Sequence, residues 1–389
     1  MTVRVLSNAH LVVGDHVVDN GWLAIWDGCV SALGQGDPPV ARVFDDTADY
    51  VDLERQWVLP GYVDLHCHGG GGSAFNAGGI GAVRRAAAAH LARGTTSMLA
   101  SVGTGAPAAM LAAAGAIADA IEDGTAPNVR GIHFEGPFLS PARRGAQTAS
   151  QLRLPDRDFF EELLGAARGH ARAMTIAPEL DGAIDLIHRH GDEIAFCIGH
   201  TDADADAFEA AVDAGARHVT HLFNAMPPAT HRAPGSVGRA LLDPRVTVEL
   251  IADGHHLAAD AVRLALGIAG TDRVVLVTDA QAVAGMGDGR YKFADRTVDV
   301  RDGAAHLAGT QILAGSTAFL ADATANAASW GVLSPVATAQ ISAGNAARVL
   351  GWRNRGVLAV GAAADLIVSP DGIHPAAVAL DGHWRPTEA

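Results

Sequence analysis

The chain has 389 residues, of which 49% are hydrophobic and 18% are charged, and these proportions are typical of an ordinary globular protein. Its formal charge of −15 argues against a polyanionic partner such as DNA, because no basic stripe is available to hold one. The first residues lack a signal-peptide pattern, and no apolar run reaches the roughly 18 residues of a membrane span. The three scattered cysteines predict no disulfide framework. We therefore expect a soluble cytoplasmic protein.

Both ends of the chain predict a small β domain. Residues 1–57 contain the short alternating stretches VRVLSNAHLVV, GWLAIWDGCVSAL and YVDLERQWVLP, separated by turn residues, and this pattern is typical of strands. The C-terminus returns to it with GVLAVGAAADLIVSPDG and AVALDGHW. We expect residues 1–57 and 355–389 to form one small β-sandwich domain, with a second domain, residues 58–354, inserted between them.

The middle of the chain alternates apolar runs with helix-like segments. Strands are predicted at residues 59–66, 96–101, 130–135, 173–177, 194–199, 217–221, 246–252 and 273–279. Alanine-rich helical segments lie between most of them, and several end in glycine, a common helix stop. Eight strands with helical crossovers favour a closed (β/α)₈ TIM-like barrel. An open doubly wound sheet is the alternative, but no G-x-G-x-x-G turn follows the first strand.

Residues that could bind a metal follow several of the predicted strands. The stretch GYVDLHCHGG places His66 and His68 two residues apart, where side chains of a strand share a face. Other strands end in Glu135, His200, His221 and Asp279. The carboxyl ends of barrel strands form the face that holds active sites. Imidazoles and carboxylates gathered there predict a mixed N/O site suited to zinc, iron or manganese.

Other histidines and one cysteine have structural interpretations, since a lone strand-end histidine is more often hydrogen-bonded in a core than bound to a metal. We expect His133 to be an inward core residue below the site. His218 is expected to point towards the helices, because it lies three residues before His221. Cys67 is expected to face away from the site and to fill an apolar position. The surface interpretation is given to His10, His16, His90, His170, His188, His190, His306, His374 and His383.

The motifs together resemble a known superfamily. DLHCHGG, GIHFEGPFLS, GHTDAD, THLFNAMPP, HRAPGSVG, IADGHH, VTDA and LAGST are similar to the amidohydrolase superfamily and, within it, to the N-acetylglucosamine-6-phosphate deacetylase branch. The resemblance extends from about residue 58 to the C-terminus, where GNAARVLG and GVLAVGAAADLIV continue it. The H-x-H pair and the final aspartate mark only the superfamily, whereas HFEGPF and HLFNAM are more specific to the branch.

The resemblance implies a divalent metal centre with one or two ions per chain. Zinc is expected first, with iron, manganese or cobalt as alternatives, and Glu135 is the expected bridge between two ions. Lys292 is the only lysine of the chain and lies beyond strand 8, so the carbamylated lysine of many superfamily members is not expected. The residues that match metal ligands of the branch are His66, His68, Glu135, His200 and His221.

The resemblance also implies the reaction. Asp279 matches the general acid/base of the branch. A metal-bound hydroxide is expected to attack the acetamide carbonyl of N-acetylglucosamine 6-phosphate, and Asp279 is expected to pass the proton to the leaving amine. The expected products are glucosamine 6-phosphate and acetate.

Substrate contacts follow from the same matching. Arg232 matches an arginine that binds phosphate, for which a guanidinium fork is well suited. Gln147 departs from the histidine of many members and cannot carry charge at neutral pH, so recognition of the sugar or the phosphate is expected to differ there, with Arg143 or Arg144 helping. The full matched set is Ala146, Gln147, Asn224, Ala225, Arg232, Asp253, Gly254, His255, His256, Leu313, Ala314 and Gly315.

Two alternatives stay open at this point. The nearer one is a related amidohydrolase that acts on N-acetylgalactosamine 6-phosphate or on an N-acyl-D-amino acid. The more distant one is a non-catalytic barrel that serves as a scaffold or sensor, and the intact strand-end residues argue against it. The resemblance further implies a homodimer in which the partner supplies part of the phosphate site. The expected partner is a small phosphorylated amino sugar, with no role for nucleic acid or a membrane.

Overall fold

The computed structural model describes residues 3–39, 48–293, 296–331 and 333–387. Eight parallel strands lie side by side in chain order and form a barrel. A parallel bridge between Cys67 and Ala280 brings the chain after the last strand against the first, so the barrel is nearly closed. Barrel strands 1 to 8 are, in order, Tyr62–Cys67, Thr95–Gly103, Val129–Glu135, Ala171–Ile176, Ala195–Ile198, His218–Val219, Thr247–Leu250 and Val274–Leu276.

A helix follows each barrel strand, which confirms the predicted (β/α)₈ fold. These helices are Ile80–Leu91, Pro107–Glu122, Arg157–Ala167, Ala183–His190, Ala205–Ala214, Gly235–Leu242, Ala259–Ala269 and Leu320–Gly331. Capping residues stabilise the ends of some of these helices. The Asp156 carboxylate accepts hydrogen bonds from the backbone amides of Asp158 and Phe159, which is a typical N-cap. Among the described residues, none of these helices is both long and apolar enough to cross a bilayer.

Shorter segments complete the barrel. The helices Pro335–Ala339 and Asn345–Val349 flank a π-helical turn, Gln340–Gly344, and Ala343 and Ala346 pack into the lower barrel interior with Val63 and Leu99. This apolar layer occupies the lower interior, so the polar strand-end residues lie above it. Three 3₁₀ turns lie in the loops at Phe75–Ala77, Pro141–Arg143 and Ala149–Gln151.

The two ends of the chain form one mixed sheet beside the barrel, which confirms that both termini contribute strands to the predicted β domain. Its strands are Arg4–Val13, His16–Trp26, Cys29–Gln35, Asp49–Asp52, Trp57–Pro60, Leu366–Ser369, Ala377–Leu380 and His383–Arg385. The predicted strand 59–66 is divided, because residues 59–60 pair with Leu366–Ser369 of this sheet and residues 62–66 belong to the barrel. Residues 1–2, 40–47 and 388–389 of the predicted β domain lie outside the described residues.

A small antiparallel sheet follows barrel strand 8 and was not predicted. It consists of Gly289–Phe293, Arg296–Arg301 and Ala304–Leu307. Val298, Val300 and Ala305 pack against Val283 and Ala314. This packing holds the sheet over the carboxyl ends of the barrel strands, where it borders the central cavity. A shorter pair, Gly69–Gly70 with Ser73–Ala74, follows strand 1.

Candidate active site

The predicted metal ligands come together around the carboxylate of Glu135, at the end of barrel strand 3. Its Oε1 lies 3.0 Å from Nε2 of His200 and 3.2 Å from Nε2 of His221. The same oxygen is 3.4 Å from Nε2 of His66, and Oε2 is 3.3 Å from Nε2 of His68. All of these side chains are buried. One carboxylate therefore meets four imidazoles that strands 1, 5 and 6 bring to it.

An irregularity in strand 1 orients the H-x-H pair. The pairing of strand 1 with strand 2 shifts register between Asp64 and Cys67, as at a β-bulge, which re-aims side chains near active sites. As a result Leu65 joins the interior apolar cluster, while the next residue, His66, still faces the site. Cys67 packs on the helix side, as predicted.

The imidazoles also face one another. Nε2 of His66 lies 3.1 Å from Nε2 of His68, and Nε2 of His200 lies 3.2 Å from Nε2 of His221. Nδ1 of His221 is buried and has no hydrogen-bond partner among the described residues. Nitrogen lone pairs that face each other at these distances repel unless a proton or a metal ion lies among them. Such an arrangement fits a bound cation.

Hydrogen bonds at Nδ1 of His200 and His66 determine which ring nitrogen of each histidine is available to a metal ion. Nδ1 of His200 lies 2.8 Å from the carbonyl oxygen of Arg143, and Nδ1 of His66 lies 3.2 Å from Oε2 of Glu249. Because both oxygens only accept, each Nδ1 carries a proton, and each Nε2 faces the cluster, where it can hold a second proton or bind a metal ion. This is the usual arrangement of metal-binding histidines, and with Glu135 it makes a donor set suited to a divalent ion.

The charges of the site reinforce one another. Burial opposes ionisation of Glu135, but the neighbouring His200 and His66 hold its pKa well below the usual range. Burial likewise opposes protonation of His66, but Asp279 and Glu135 raise its pKa well above the usual value. The Glu135 carboxylate therefore remains ionised inside the barrel and attracts positive charge, whether a proton or a metal ion.

Asp279 lies beside the H-x-H pair, immediately after barrel strand 8. Its Oδ1 is 3.3 Å from Nε2 of His68 and 3.7 Å from Nε2 of His66. Its backbone amide donates to the carbonyl oxygen of His66 at 2.8 Å, which fixes its position. The side chain lines the cavity. It is therefore placed to exchange a proton with a molecule bound there.

Three of the strand-end residues have left-handed backbone. The φ angles are 46° at His200, 28° at His221 and 46° at Asp279. Residues other than glycine rarely adopt positive φ angles. Backbone strain of this kind persists only where the surrounding structure fixes it, often at functional sites. The strain therefore favours a functional role for these turns.

His218 does not point towards the helices, so that prediction is wrong. The two-residue strand 6 ends at Val219, which packs on the helix side, and His218 therefore faces the interior. Counting back from His221 failed because the chain turns between the two histidines. Nε2 of His218 lies 2.9 Å from Oε1 of Glu249 and Nδ1 lies 2.6 Å from Oγ1 of Thr247.

Glu249 was missed by the sequence analysis. It lies within barrel strand 7, in the apolar run VTVELIA, and its carboxylate meets His218, His66 and the backbone of His221. The available signal was a carboxylate inside a buried strand, which needs partners to be tolerated. His133 is buried below the site, with Ser101 and Thr175 as hydrogen-bond partners at 2.9 Å and 2.8 Å, which confirms its predicted core role.

His90 is buried rather than exposed, so its predicted surface position is wrong. Its Nε2 lies 2.9 Å from the carbonyl oxygen of Gly69 and 3.2 Å from Sγ of Cys67. With Asp64 these residues form a second group of metal-ligand types. The Asp64 oxygens already accept hydrogen bonds from Thr278 and from the backbone of His66. This group therefore has a structural explanation, since it supports the turn after strand 1 and the end of strand 8.

A cavity of about 700 Å³ opens above the cluster. His68, Glu135, His200, His221 and Asp279 form part of its wall. The predicted substrate residues that line it are Ala146, Gln147, Asn224, Ala225, His256, Leu313, Ala314 and Gly315. This volume is ordinary for a small-molecule site.

The remaining predicted substrate residues lie outside this wall. Asp253 supports His256 from behind, with Oδ2 2.7 Å from its Nδ1, and its Oδ1 accepts the backbone amides of His255 and His256. Burial opposes protonation of His256, but the hydrogen bond and charge of Asp253 raise its pKa. Gly254 belongs to the same turn, and Arg232 lies on an exposed loop. The predicted phosphate contact of Arg232 stays a prediction.

Gln147 does not point freely into the cavity. Its side-chain amide donates to Oε2 of Glu135, the oxygen that also faces His68. The backbone of the same residue is held by Arg144, whose guanidinium donates to the Gln147 carbonyl at 3.1 Å. The neutral amide thus contacts the carboxylate at the centre of the cluster.

The comparison with known families agrees with this architecture. The sequence profile of the amidohydrolase family matches residues 57–383. The chain belongs to the amidohydrolase family. Membership implies a divalent metal ion, and the imidazole and carboxylate groups of this amidohydrolase fit one.

Two curated relatives cover almost the whole of this amidohydrolase. It is 35% identical over 371 residues to the N-acetylglucosamine-6-phosphate deacetylase of Bacillus subtilis, which covers 93% of this chain and 92% of the relative. It is 30% identical over 382 residues to the N-acetylgalactosamine-6-phosphate deacetylase of Escherichia coli, which covers 97% of this chain and 98% of the relative.

Solved structures give the same picture. The amidohydrolase superimposes with a TM-score of 0.91, at 37% identity and over 99% of both chains, on a mutant N-acetyl-D-glucosamine-6-phosphate deacetylase of Mycobacterium smegmatis in complex with N-acetyl-D-glucosamine-6-phosphate. The N-acetylglucosamine-6-phosphate deacetylase of Pasteurella multocida superimposes with a TM-score of 0.91 at 26% identity, over 98% of this chain and 99% of that one.

Proposed function

We propose that this amidohydrolase hydrolyses N-acetylglucosamine 6-phosphate to glucosamine 6-phosphate and acetate. The observation that carries the proposal is the meeting of four imidazoles and the Glu135 carboxylate beside Asp279, with all of these groups except His66 in the wall of one cavity. The Bacillus subtilis relative and the Mycobacterium smegmatis complex support the choice of substrate.

The residues that hold the metal in this proposal are His66, His68, Glu135, His200 and His221. When bound, a divalent ion supplies polarisation of an amide carbonyl and lowers the pKa of a water molecule. Zinc is the first choice for such a donor set, with iron, manganese or cobalt as alternatives. We propose two ions, because both the H-x-H pair and the Glu135, His200 and His221 group are complete.

Asp279 moves the proton in this proposal. Its Oδ1 accepts a proton from the attacking water and later donates it to the nitrogen of the breaking C–N bond. An amine leaves poorly until it is protonated, so an acid within reach is required. One water is consumed, and acetate and the free amino sugar are formed.

His256 and the loops bind the sugar phosphate. Because Asp253 raises the pKa of His256, this imidazole can carry positive charge towards a phosphate or a sugar oxygen. Asn224 and Ala225 border the sugar, and Leu313, Ala314 and Gly315 close over the acetyl group. We propose that Arg232 binds the phosphate across a homodimer interface, which accounts for its position outside the cavity wall of a single chain. A cytoplasmic location is part of the same proposal.

A second candidate is the deacetylation of N-acetylgalactosamine 6-phosphate, which the Escherichia coli relative favours. The two sugars differ only in the configuration of one hydroxyl group. Both candidates use the same metal site and the same proton transfer.

The deciding experiment measures acetate release from both phosphorylated sugars and from unphosphorylated N-acetylglucosamine. The purified protein is assayed as prepared, after chelation, and after reloading with zinc, iron, manganese or cobalt. We expect activity on N-acetylglucosamine 6-phosphate that chelation removes and a metal restores, with little activity on the unphosphorylated sugar. A preference for the galactose epimer would select the second candidate. Absence of acetate release from both phosphorylated sugars after reloading would contradict the proposed function.

A further inference from the structure

Glu249 is a buried carboxylate that the proposed reaction does not use. It lies on barrel strand 7 and is only 2% exposed. Its Oε1 is 2.9 Å from Nε2 of His218, and its Oε2 is 3.2 Å from Nδ1 of His66 and 3.0 Å from the backbone nitrogen of His221. The described residues that line the cavity do not include it. Its partners are therefore other protein groups and not the substrate.

The contact with His66 determines the tautomer of that ring. An ionised carboxylate has only acceptor sites, so it keeps the proton of His66 on Nδ1. Nε2 then presents a lone pair towards Glu135 and His68, which lie 3.4 Å and 3.1 Å away. Without an acceptor at Nδ1, the ring would be free to carry its proton on Nε2, where it would block metal binding.

The contact with His221 fixes a strained turn. The same Oε2 accepts the backbone amide of His221, whose φ is 28°. This amide lies where the chain leaves strand 6, one residue after Thr220 and two after the last residue of the strand. A single oxygen of Glu249 therefore connects strand 7 to one histidine from each of the two predicted ligand groups.

We propose that Glu249 is a positioning residue for the metal site, acting through the ring of His66 and the backbone of His221. This inference rests on the proposed function, because both histidines are ligands in that proposal. The competing explanation is that Glu249 serves only as a hydrogen-bond partner of His218 inside the barrel. In that case its loss would lower the stability of the fold without a specific effect on metal affinity.

The test uses the full chain with its metal removed. Zinc is titrated into native protein and Glu249→Gln in competition with a chromophoric chelator, without any sugar substrate. We expect zinc affinity to fall about 10–100-fold in Glu249→Gln, the range found when partners of metal ligands are lost. The glutamine side chain has the same size, but one of its two polar atoms is an NH₂ nitrogen, which donates. It therefore cannot accept hydrogen bonds from all three donors that contact Glu249.

Asp365→Asn is the matched control. Asp365 immediately precedes the strand Leu366–Ser369 of the terminal sheet, is 3% exposed, and undergoes the same change from carboxylate to amide. Thermal unfolding of both metal-free variants measures the loss of stability, and we expect native zinc affinity in Asp365→Asn. Native zinc affinity in Glu249→Gln, or an equal loss in both variants, would overturn the inference. Failure of the native protein to bind zinc or any other divalent metal would instead overturn the proposed function.

A measurement on the native protein covers the case in which Glu249→Gln does not fold. Nitrogen-15 histidine NMR of the zinc-loaded chain reports which ring nitrogen of His66 carries the proton, and the signal is assigned by its loss in His66→Asn. A protonated Nδ1 on His66 is expected. A proton on Nε2 of His66 would overturn the inference.

Discussion

Barrel strand 3 has a cluster of charged or titratable side chains near each end. Near its start, Arg130 donates to Asp381 at 3.3 Å, and Arg355 bonds both Asp365 and Asp381, the latter at 2.8 Å. At its end, Glu135 meets four imidazoles. Only four residues of one strand, 131–134, therefore separate two clusters of different character.

The difference lies in how each cluster satisfies its own charges. Near the start of the strand, two arginines face two aspartates of opposite charge, and the network connects the barrel to the terminal sheet. At the end, imidazole nitrogens face one another at 3.1 Å and 3.2 Å. A paired network needs no further partner, whereas facing lone pairs need a cation. The type of pairing thus separates a structural cluster from a functional one.

The largest expected effect is on catalytic turnover and comes from a change beside the cluster at the end of strand 3. In Asp279→Asn the side chain keeps its size but can no longer accept the proton, so we expect kcat to fall about 10²–10⁴-fold. Metal per chain, measured by elemental analysis, should stay unchanged, since the predicted ligands are all present. Near-native turnover of this variant would refute the proton-transfer role.

The next effect is on metal content. In the double variant His66→Asn/His68→Asn, we expect metal per chain to fall from two ions to one, because Glu135, His200 and His221 still form a binding group. Elemental analysis of both proteins after identical loading measures this. One ion in both proteins would mean that the H-x-H pair does not hold a metal of its own.

In the cluster near the start of strand 3, Arg355→Met is expected to lower the stability of the fold and to leave the metal site intact. The change removes a guanidinium that donates to both Asp365 and Asp381. The buried Asp365 then keeps the backbone amide of Asp381 and, as its only cation among the described residues, Arg130, whose Nη2 lies 4.0 Å away. Removal of one partner of a buried ion pair costs about 3 kcal/mol or more. Urea unfolding measures the loss, and zinc affinity should match that of the native protein. A shift in zinc affinity would mean that the two clusters are coupled through strand 3.

The smallest expected effect concerns His90, a buried imidazole that stays neutral. Burial lowers its pKa to about 4, whereas an unfolded histidine has a pKa of about 6.5. Between these values the unfolded state binds a proton that the folded state does not, so the free energy of unfolding falls as the pH falls, by about 3 kcal/mol over the whole interval. In His90→Gln, whose amide can still donate to Gly69, this contribution should vanish.

Urea unfolding of the metal-free proteins at several pH values between about 7 and 4 checks the expectation for His90. The native protein should lose more stability than His90→Gln over this interval. Equal pH dependence in the two proteins would show that His90 does not titrate as its burial implies.

The barrel was predictable because its strands are short apolar runs that end in polar residues. Strand 3 was expected at residues 130–135 and is observed at Val129–Glu135, so Glu135 was placed correctly at the open end. The same logic brought His66 and Asp279 to one face, where Oδ1 of Asp279 lies 3.7 Å from Nε2 of His66. Their roles in metal binding and proton transfer remain predictions.

Simple alternation failed wherever the backbone is irregular. His218 was assigned to the wrong side because the chain turns at His221, and a period of two does not continue through a left-handed residue. The register shift in strand 1 is a second irregularity, and it lets Leu65 and His66 both face inward. Such turns depend on contacts from other strands, which a local pattern does not contain.

The contacts of buried titratable residues were also not predictable from the sequence. Glu249 looked like one polar residue in an apolar run, and only the assembled barrel shows its contacts with His66 and His218. The buried position of His90 also depends on a distant partner, because its ring packs against Phe319, more than two hundred residues later in the chain. Sequence patterns report the face of an element but not which groups it will meet.

The small sheet after strand 8 places the only lysine of the chain, Lys292, at the wall of the cavity. Its side chain is exposed. An amine-reactive fluorophore therefore has one side-chain target in the whole protein, and that target borders the substrate site. The chain thus contains a natural attachment point for a reporter of cavity occupancy, and it needs no engineered cysteine for this purpose.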